Sequence, residues 1–458
     1  MVNQAYADFL ARKAIVDPPT GLATPPELPA SMFEFQRDIT RWALKRGRAA
    51  IFAGTGLGKS FMELAWGDAI HRATGGDILH FAPLAVAAQM VREAEKFGID
   101  ARHVRNQDEC GPGINITNYQ KLAHFDVSKF AGVVLDESSI LKSETGHYRT
   151  ELIQSCADVP YRLAATATPA PNDFMELGNH AEFLGIMSYT DMLSTFFSHD
   201  GGETQKWRLK GHAENDFWRW VASWAVLIRK PSDLGYENGG YDLPPLNQIH
   251  HVVKVGNAVD LFGANQATTL QDRIKARRET VADRVALAAS LTPMDRPFVW
   301  WCNLNAEADA LAKAIPGAVN LHGGLKEDDK ERILLEFSDG KITHLVTKAS
   351  LAGFGMNWQH CADTGFVGLN DSFEQVYQAT RRFWRFGQTR EVNAHFIAAE
   401  TEGAVVANLK RKEDDAERMA AAMVMHTANI NRAAIGAQVR DKANYNPTEL
   451  MQLPTWLA

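Results

Sequence analysis

The chain has 458 residues, 45% of them hydrophobic and 22% charged, with a formal net charge of −7. Its length exceeds what one hydrophobic core organises, so two or three domains are expected, and the composition excludes a disordered or fibrous protein. The sequence has no apolar run of the roughly 20 residues that span a bilayer, and Met1-Val-Asn-Gln-Ala-Tyr-Ala7 lacks the pattern of a secretory signal, so a cytoplasmic protein is expected.

Residues 1–30 carry Asp17-Pro-Pro-Thr-Gly21 and then Pro25, Pro26 and Pro29, which reads as an irregular leader. From Phe33 to about Ala170 short apolar runs alternate with helical stretches. Strands are expected at Ala49–Ala53, Asp77–Ala82, Asn115–Thr117, Gly132–Asp136 and Tyr161–Thr166. Residues 171–230 break that rhythm and read as a helical insertion, with Phe217, Trp220, Val221, Trp224 and Ile228 at helical spacing. The tryptophans Trp207, Trp218, Trp220 and Trp224 suit helix packing better than a base-stacking platform. Residues 231–245, with Pro231, Gly239-Gly240 and Leu243-Pro-Pro245, mark a linker. A second series of strands is expected at Pro297–Trp301, Ala318–Leu321, His344–Thr347, Gly365–Leu369 and Ala394–Ile397, with helices at Asp283–Ser290, Lys326–Phe337 and Ala404–Met425.

The organisation expected is therefore α/β, two doubly wound parallel-sheet domains in tandem, over residues 31–245 and 246–430, with a tail at 431–458. Four scattered cysteines, Cys110, Cys156, Cys302 and Cys361, lack the spacing of a zinc site or a disulfide framework. Net negative charge argues against a basic coat but leaves room for a local positive groove.

Ala53-Gly-Thr-Gly-Leu-Gly-Lys-Ser60 follows a strand and opens a helix, the setting of a phosphate-binding loop. Backbone N–H groups of Gly54, Thr55, Gly56, Leu57 and Gly58 would close on phosphate oxygens, Lys59 would reach the β- and γ-phosphates, and the Ser60 hydroxyl would ligate Mg²⁺. Ala53 stands where the generic pattern has glycine. Val133-Val-Leu-Asp-Glu-Ser-Ser139 ends a strand in an acidic pair, which places Asp136 to hold Mg²⁺ and Glu137 to polarise an attacking water.

Taken together these segments resemble superfamily 2 helicase-type ATPases, and among them the Swi/Snf-type DNA translocases, over roughly residues 30–425. The resemblance implies two RecA-like domains, ATP and Mg²⁺ as cofactors, and ATP hydrolysis that depends on nucleic acid. Phe33-Glu-Phe-Gln36-Arg37 is similar to the adenine-contacting segment. Ala82-Pro83-Leu84 resembles motif Ia, Thr117-Asn-Tyr119 motif Ib, and Asp136-Glu137-Ser-Ser139 motif II. Thr166-Ala-Thr168-Pro169 with Asn172 resembles motif III, whose threonines Thr166 and Thr168 couple the ATP site to the track. In the second half Leu321-His322-Gly323 follows motif IV, and Thr347-Lys348 through Gly355 and Asn357 resembles motif V. Gln378-Ala-Thr-Arg-Arg-Phe-Trp-Arg-Phe-Gly-Gln388 resembles motif VI. Two departures are plain: Trp384 stands where these proteins have His, and Arg381 where many have an acid.

By this resemblance Arg382 and Arg385 are arginine fingers that stabilise charge at the γ-phosphate, with Gln378 and Gly355 also facing the nucleotide. Pro83, Thr117, His322, Thr347 and Lys348 are the expected track contacts, made to the phosphate backbone rather than to bases. The basic stretch Arg273–Arg278 reads as a solvated helix face. A monomeric ATP-dependent translocase on double-stranded DNA is expected, of a minimal prokaryotic or phage type. The alternatives are a strand-separating DNA or RNA helicase and, from another class, an ATP-latched DNA-binding scaffold.

Overall fold

The structure, a computed structural model, describes residues 16–83, 86–142, 147–171, 173–199, 207–254, 278–352, 357–368, 372–400 and 403–435. Gly355, Asn172, and residues 273–277 of the basic stretch lie outside the described residues.

The first half opens with helix α1 (Glu34–Arg46), acidic in its first turn and basic in its last, as the helix dipole favours. Strands β1 (Arg48–Ala53), β2 (Ile78–Ala82), β3 (Ala101–His103), β4 (Ile114–Asn118), β5 (Gly132–Asp136) and β6 (Tyr161–Thr166) alternate with α2 (Lys59–Thr74), α3 (Ala87–Lys96) and α4 (His147–Ser155). Helices α5 (Leu177–Leu184) and α6 (Tyr189–Phe196) follow, then an antiparallel hairpin of β7 (Phe197–His199) and β8 (Trp207–Leu209), then α7 (Glu214–Trp224) and β9 (Ala225–Ile228). The sheet has seven strands in the order β3-β4-β2-β5-β6-β1-β9, every pair parallel. Its central strands are apolar on both faces because helices cover both, which is why they read as continuous hydrophobic runs.

The second sheet has six parallel strands in the order β10-β15-β14-β11-β13-β12. They are β10 (Leu246–Val253), β11 (Phe298–Cys302), β12 (Val319–Leu321), β13 (His344–Thr347), β14 (Asp363–Val367) and β15 (Val392–Ala399). Helices α8 (Val281–Leu291), α9 (Asn305–Ala314), α10 (Glu327–Ser338), α11 (Ala349–Ala352) and α12 (Phe373–Thr380) connect them. The fold is thus the expected α/β tandem of two doubly wound parallel sheets. No helix among the described residues is long and apolar enough to cross a membrane.

Three features depart from the sequence reading. Ile228, assigned there to the apolar face of a helix, lies in β9, an edge strand that returns from the 171–230 segment and pairs with β1. That segment is therefore part of the first sheet as well as an insertion. Strands β3 and β10 had no apolar signature because they are edge strands and partly exposed. Finally, α13 (Gly403–Ile435) runs 33 residues, beyond the expected Met425. It begins in the second core through Val405 and Leu409 and ends against the first through Met419, Met423, Val424 and Ile435. Arg432 donates to the Asp233 and Ser232 carbonyls, and Arg229 pairs with Glu417. The tryptophans of α7 are buried in the first core, which removes the base-stacking reading for Trp218, Trp220 and Trp224.

A fully buried ion pair fixes the second domain: Arg284 on α8 donates to Glu307 on α9 at 2.5 Å. The other Glu307 oxygen accepts the Asn303 and Leu304 N–H groups. A Cβ at Gly368 would stand 2.4 Å from the guanidinium, so glycine is required there for close approach as well as for its φ of +72°. Removing one partner strands a buried charge, so Arg284→Met is expected to cost about 3–5 kcal/mol in chemical denaturation. A loss below about 1 kcal/mol would show that the pair does not hold α8 to α9.

Candidate nucleotide site between the two sheets

The Gly54–Lys59 loop leaves the carboxyl end of β1, and β9 anchors it: Gly54 N–H donates to the Ile228 carbonyl at 2.9 Å. Gly56 and Gly58 both hold left-handed φ values, +87° and +79°, which side chains resist. Gly58 starts α2, so the helix N-terminus points into the loop. Lys59 Nζ donates to the Ala53 carbonyl at 3.0 Å, the Thr55 hydroxyl is buried without a partner, and Ser60 sits in the first helical turn. Gln36 is buried beneath the loop: its Nε2 donates to the Leu57 carbonyl at 2.9 Å and its Oε1 accepts from Phe33 N–H. A Cβ on Gly58 would lie 2.3 Å from that Nε2. Gln36 therefore spends its acceptor and one donor on the chain itself, while Arg37 is half-buried in the next position.

The acidic pair stands at the end of β5, in the middle of the sheet. Glu137 is the one non-glycine among the described residues with a positive φ, +54°, a strained conformation that tends to mark functional sites. Thr166 donates its hydroxyl to Glu137 Oε2 at 3.3 Å and accepts the Thr168 N–H at 3.2 Å, forming a chain from the acid to the loop after β6. Asp136 is buried, and burial together with Glu63 and Glu137 holds its carboxyl well above the ordinary range, against Lys59 and His80.

The second sheet contributes the turn after α12. A Cβ on Gly56 would meet the Phe386 nitrogen at 2.8 Å and Arg385 Cβ at 3.3 Å, so the turn that carries Arg385 touches the phosphate loop across the cleft. Arg382 is buried and donates to Gln378 twice, to its carbonyl and to its Oε1, each at 3.1 Å. Burial lowers the guanidinium pKa of Arg382 to about 10, against Glu137 and Asp136, and lowers that of Arg385 against Glu93, Glu137 and Asp136. Trp384 donates its indole N–H to the Pro244 carbonyl at 2.6 Å, and Arg381 lies 4.1 Å over its ring and 4.9 Å over Tyr377. Trp384 thus ties this turn to the segment joining the two sheets. Phe33 and Tyr241 pack with Phe386, extending the contact between the halves.

The expected track residues are dispersed. Thr117 and Thr347 are buried, the latter donating to the Leu321 carbonyl at 3.0 Å, whereas His322 is exposed and Pro83 and Lys348 are half-buried. Several contacts around the acidic pair had no counterpart in the motif reading, although Tyr119 and Ser138 stand within its segments. Tyr119 donates to the Asp136 carbonyl at 2.6 Å, and His180 Nε2 lies 3.1 Å from the Ser138 hydroxyl. Glu63 and His80 form a buried pair at 3.1 Å beneath the acidic pair. Glu63 and His80 are each a polar residue inside an apolar run, the one local trace such a role leaves in sequence.

The donor set fits the groups that the sequence suggests. The glycine cradle, the α2 N-terminus and the unpaired Thr55 hydroxyl suit polyphosphate. The Ser60 hydroxyl and Asp136 carboxylate are hard oxygen donors, suited to Mg²⁺ whose coordination is completed by phosphate and water. Among the described residues no cluster of three or more protein ligands forms a self-sufficient metal cage.

No protein-family model matches the chain, and no curated protein matches it. Among solved structures it is similar to a Sulfolobus solfataricus SWI2/SNF2 ATPase core in complex with dsDNA. The identity is 16%, the match covers 90% of this chain and 98% of the other, and the TM-score is 0.41. A likeness this loose carries no part of the argument.

The Glu63–His80 pair generates a pH prediction. Burial pushes the Glu63 carboxyl up to about 8 from an ordinary 4.5, so folding binds a proton in that window and stability falls as pH rises through it. Burial lowers His80 to about 4 from 6.5, so its contribution falls as pH drops below 6.5. The two offset one another between those ordinary values, leaving a net loss above the histidine's. Glu63→Gln is expected to gain about 2 kcal/mol over wild type between pH ~6.5 and ~8 in urea unfolding. Parallel pH profiles for the two proteins would contradict the buried, protonated carboxyl.

Proposed function

We propose that the chain is a nucleic-acid-dependent ATPase of the superfamily 2 type, a Swi/Snf-like motor that translocates on double-stranded DNA. The domain division at residues 245/246 and the site roles below belong to this proposal. The observation that carries it is the contact of the Arg385–Phe386 turn with Gly56, which joins a phosphate loop on one sheet to paired arginines on the other.

In this reading the loop N–H groups and Lys59 bind the β- and γ-phosphates. Mg²⁺ held by Ser60 and Asp136 would neutralise phosphate charge. Glu137, whose Oε2 accepts the Thr166 hydroxyl, polarises the attacking water. Arg382 and Arg385 stabilise the charge that spreads on the γ-phosphoryl oxygens, an effect worth about 10³–10⁵ in rate for such fingers. Gln378 acts as a positioning residue, fixing the Arg382 guanidinium through two hydrogen bonds. The Thr166–Thr168 link gives the γ-phosphate end of the site a mechanical route to the surface where a track would lie. Grip on the phosphate backbone carries no sequence information, which suits a motor that must pass over any sequence.

Lys59→Ala and Arg385→Ala are each expected to lower DNA-stimulated ATP turnover by about 10³ or more while duplex binding persists. Stimulated turnover surviving in both would overturn the motor reading. Displacement of a triplex-forming strand without separation of a forked duplex distinguishes translocation from unwinding. Fork separation would instead select a helicase, and nucleotide-dependent binding without turnover a latch.

A further inference from the structure

Four ion pairs cross between the two halves on one side of the molecule, and in each the base comes from the first half and the acid from the second. Arg92 on α3 meets Asp339 at 3.4 Å, and Arg105 after β3 meets Asp328 at 2.7 Å. Lys121 after β4 meets Glu327 at 3.6 Å, and Lys142 after β5 pairs with Glu374 at the start of α12. The bases follow β2, β3, β4 and β5, neighbours in the sheet in the order β3-β4-β2-β5; Arg105, Lys121 and Lys142 stand in the connections past the carboxyl ends of their strands, and Arg92 stands midway along α3. Glu331, one helical turn beyond Glu327, faces His103 and Arg105 as well.

Helix stability explains only part of the acidic side. Glu327 and Asp328 suit the first turn of α10, but Asp339 occupies its C-terminal cap, where the helix dipole disfavours an acid. The contacts differ in exposure: Arg105 and Asp328 keep 53% and 77% of their side-chain surface, whereas Lys142 and Glu374 keep 35% and 14%. Exposed pairs of this kind contribute little individually and exchange readily for another anion. A row of cations at a sheet edge, covered only by exchangeable carboxylates, is suited to a ligand with closely repeated negative charge. Duplex DNA presents one such charge per ~1.7 Å of axis.

We infer that Arg92, Arg105, Lys121 and Lys142 form a docking row for the DNA phosphate backbone, and that the acids of α10 and α12 occupy it as a phosphate mimic until DNA displaces them. The identity of the polyanion rests on the motor reading above. DNA binding then does two things at once: it fills the row and releases the second domain from its clasp on the first.

The test compares the intact chain with three variants. One neutralises the clasp (Glu327→Gln, Asp328→Asn, Asp339→Asn, Glu374→Gln). A second removes the same charge at exposed acids outside it (Asp216→Asn, Asp283→Asn, Asp295→Asn, Asp414→Asn). The third neutralises the row (Arg92→Gln, Arg105→Gln, Lys121→Gln, Lys142→Gln). Binding of a short blunt duplex is measured by fluorescence anisotropy across a salt series, with ATP turnover recorded with and without duplex. The clasp variant is expected to bind about fivefold or more tighter than the charge-matched control. The row variant is expected to lose about three units of the salt slope. Equal tightening in the clasp and control variants, or an unchanged slope in the row variant, overturns the inference. If wild-type turnover is still stimulated by duplex in that case, the motor reading survives it. A wild type that neither binds duplex nor responds to it overturns the motor reading and the DNA assignment together.

Discussion

Charge buried away from water must be met by opposite charge, and the cleft between the two sheets is organised by that constraint. Asp136 and Glu137 are buried at the end of the first sheet, above the Glu63 carboxyl that burial keeps protonated up to about pH 8. Lys59 acts on Asp136 from the first half, and further positive charge, Arg382 and Arg385, arrives from the second. Neither side is electrostatically complete alone. The strained Glu137 backbone, the left-handed Gly56 that admits Phe386, and the Gln378 grip on Arg382 all serve that meeting.

Two physical ties govern how the halves can move about the cleft. The Trp384–Pro244 hydrogen bond links the arginine turn to the connecting segment, so a shift of that segment is transmitted to Arg382 and Arg385. Helix α13 spans both cores as one rod, fixed on the first by Arg432 and by the Arg229–Glu417 pair. A continuous helix resists bending, so opening by pure separation would tear apolar residues such as Val405 or Met423 from their cores.

Much of this was legible in sequence because a phosphate loop, an acidic strand end and an arginine turn are contiguous stretches in which local backbone demands fix residue type. Strands β1, β2, β5 and β6 were equally readable, since burial on both faces requires continuous apolar runs. The edge strands β3 and β10 gave no such signal, and β9 was mistaken for helix because Ile228 continues the spacing of α7 by coincidence. Contacts made only by folding were invisible: Tyr119 under Asp136, His180 beside Ser138, Glu63 against His80, and the cross-cleft ion pairs join residues far apart in the chain. Trp384 was recognised as a departure, but its partner Pro244 lies 140 positions away. No local rule connects such a pair.

The central claim is that the two sheets close on nucleotide through the arginine turn, and a distance measurement across the cleft addresses it most directly. Spin labels at Ala73, at the end of α2, and Lys313, at the end of α9, stand on exposed positions of the two halves. Pulsed electron resonance between them would be recorded with a non-hydrolysable ATP analogue and with ADP, in wild type and in Arg382→Ala/Arg385→Ala. The account predicts that the analogue narrows the distance distribution in wild type, that ADP does not, and that the double variant fails to narrow with either. A distribution indifferent to nucleotide, or one that narrows equally without the arginines, would contradict it.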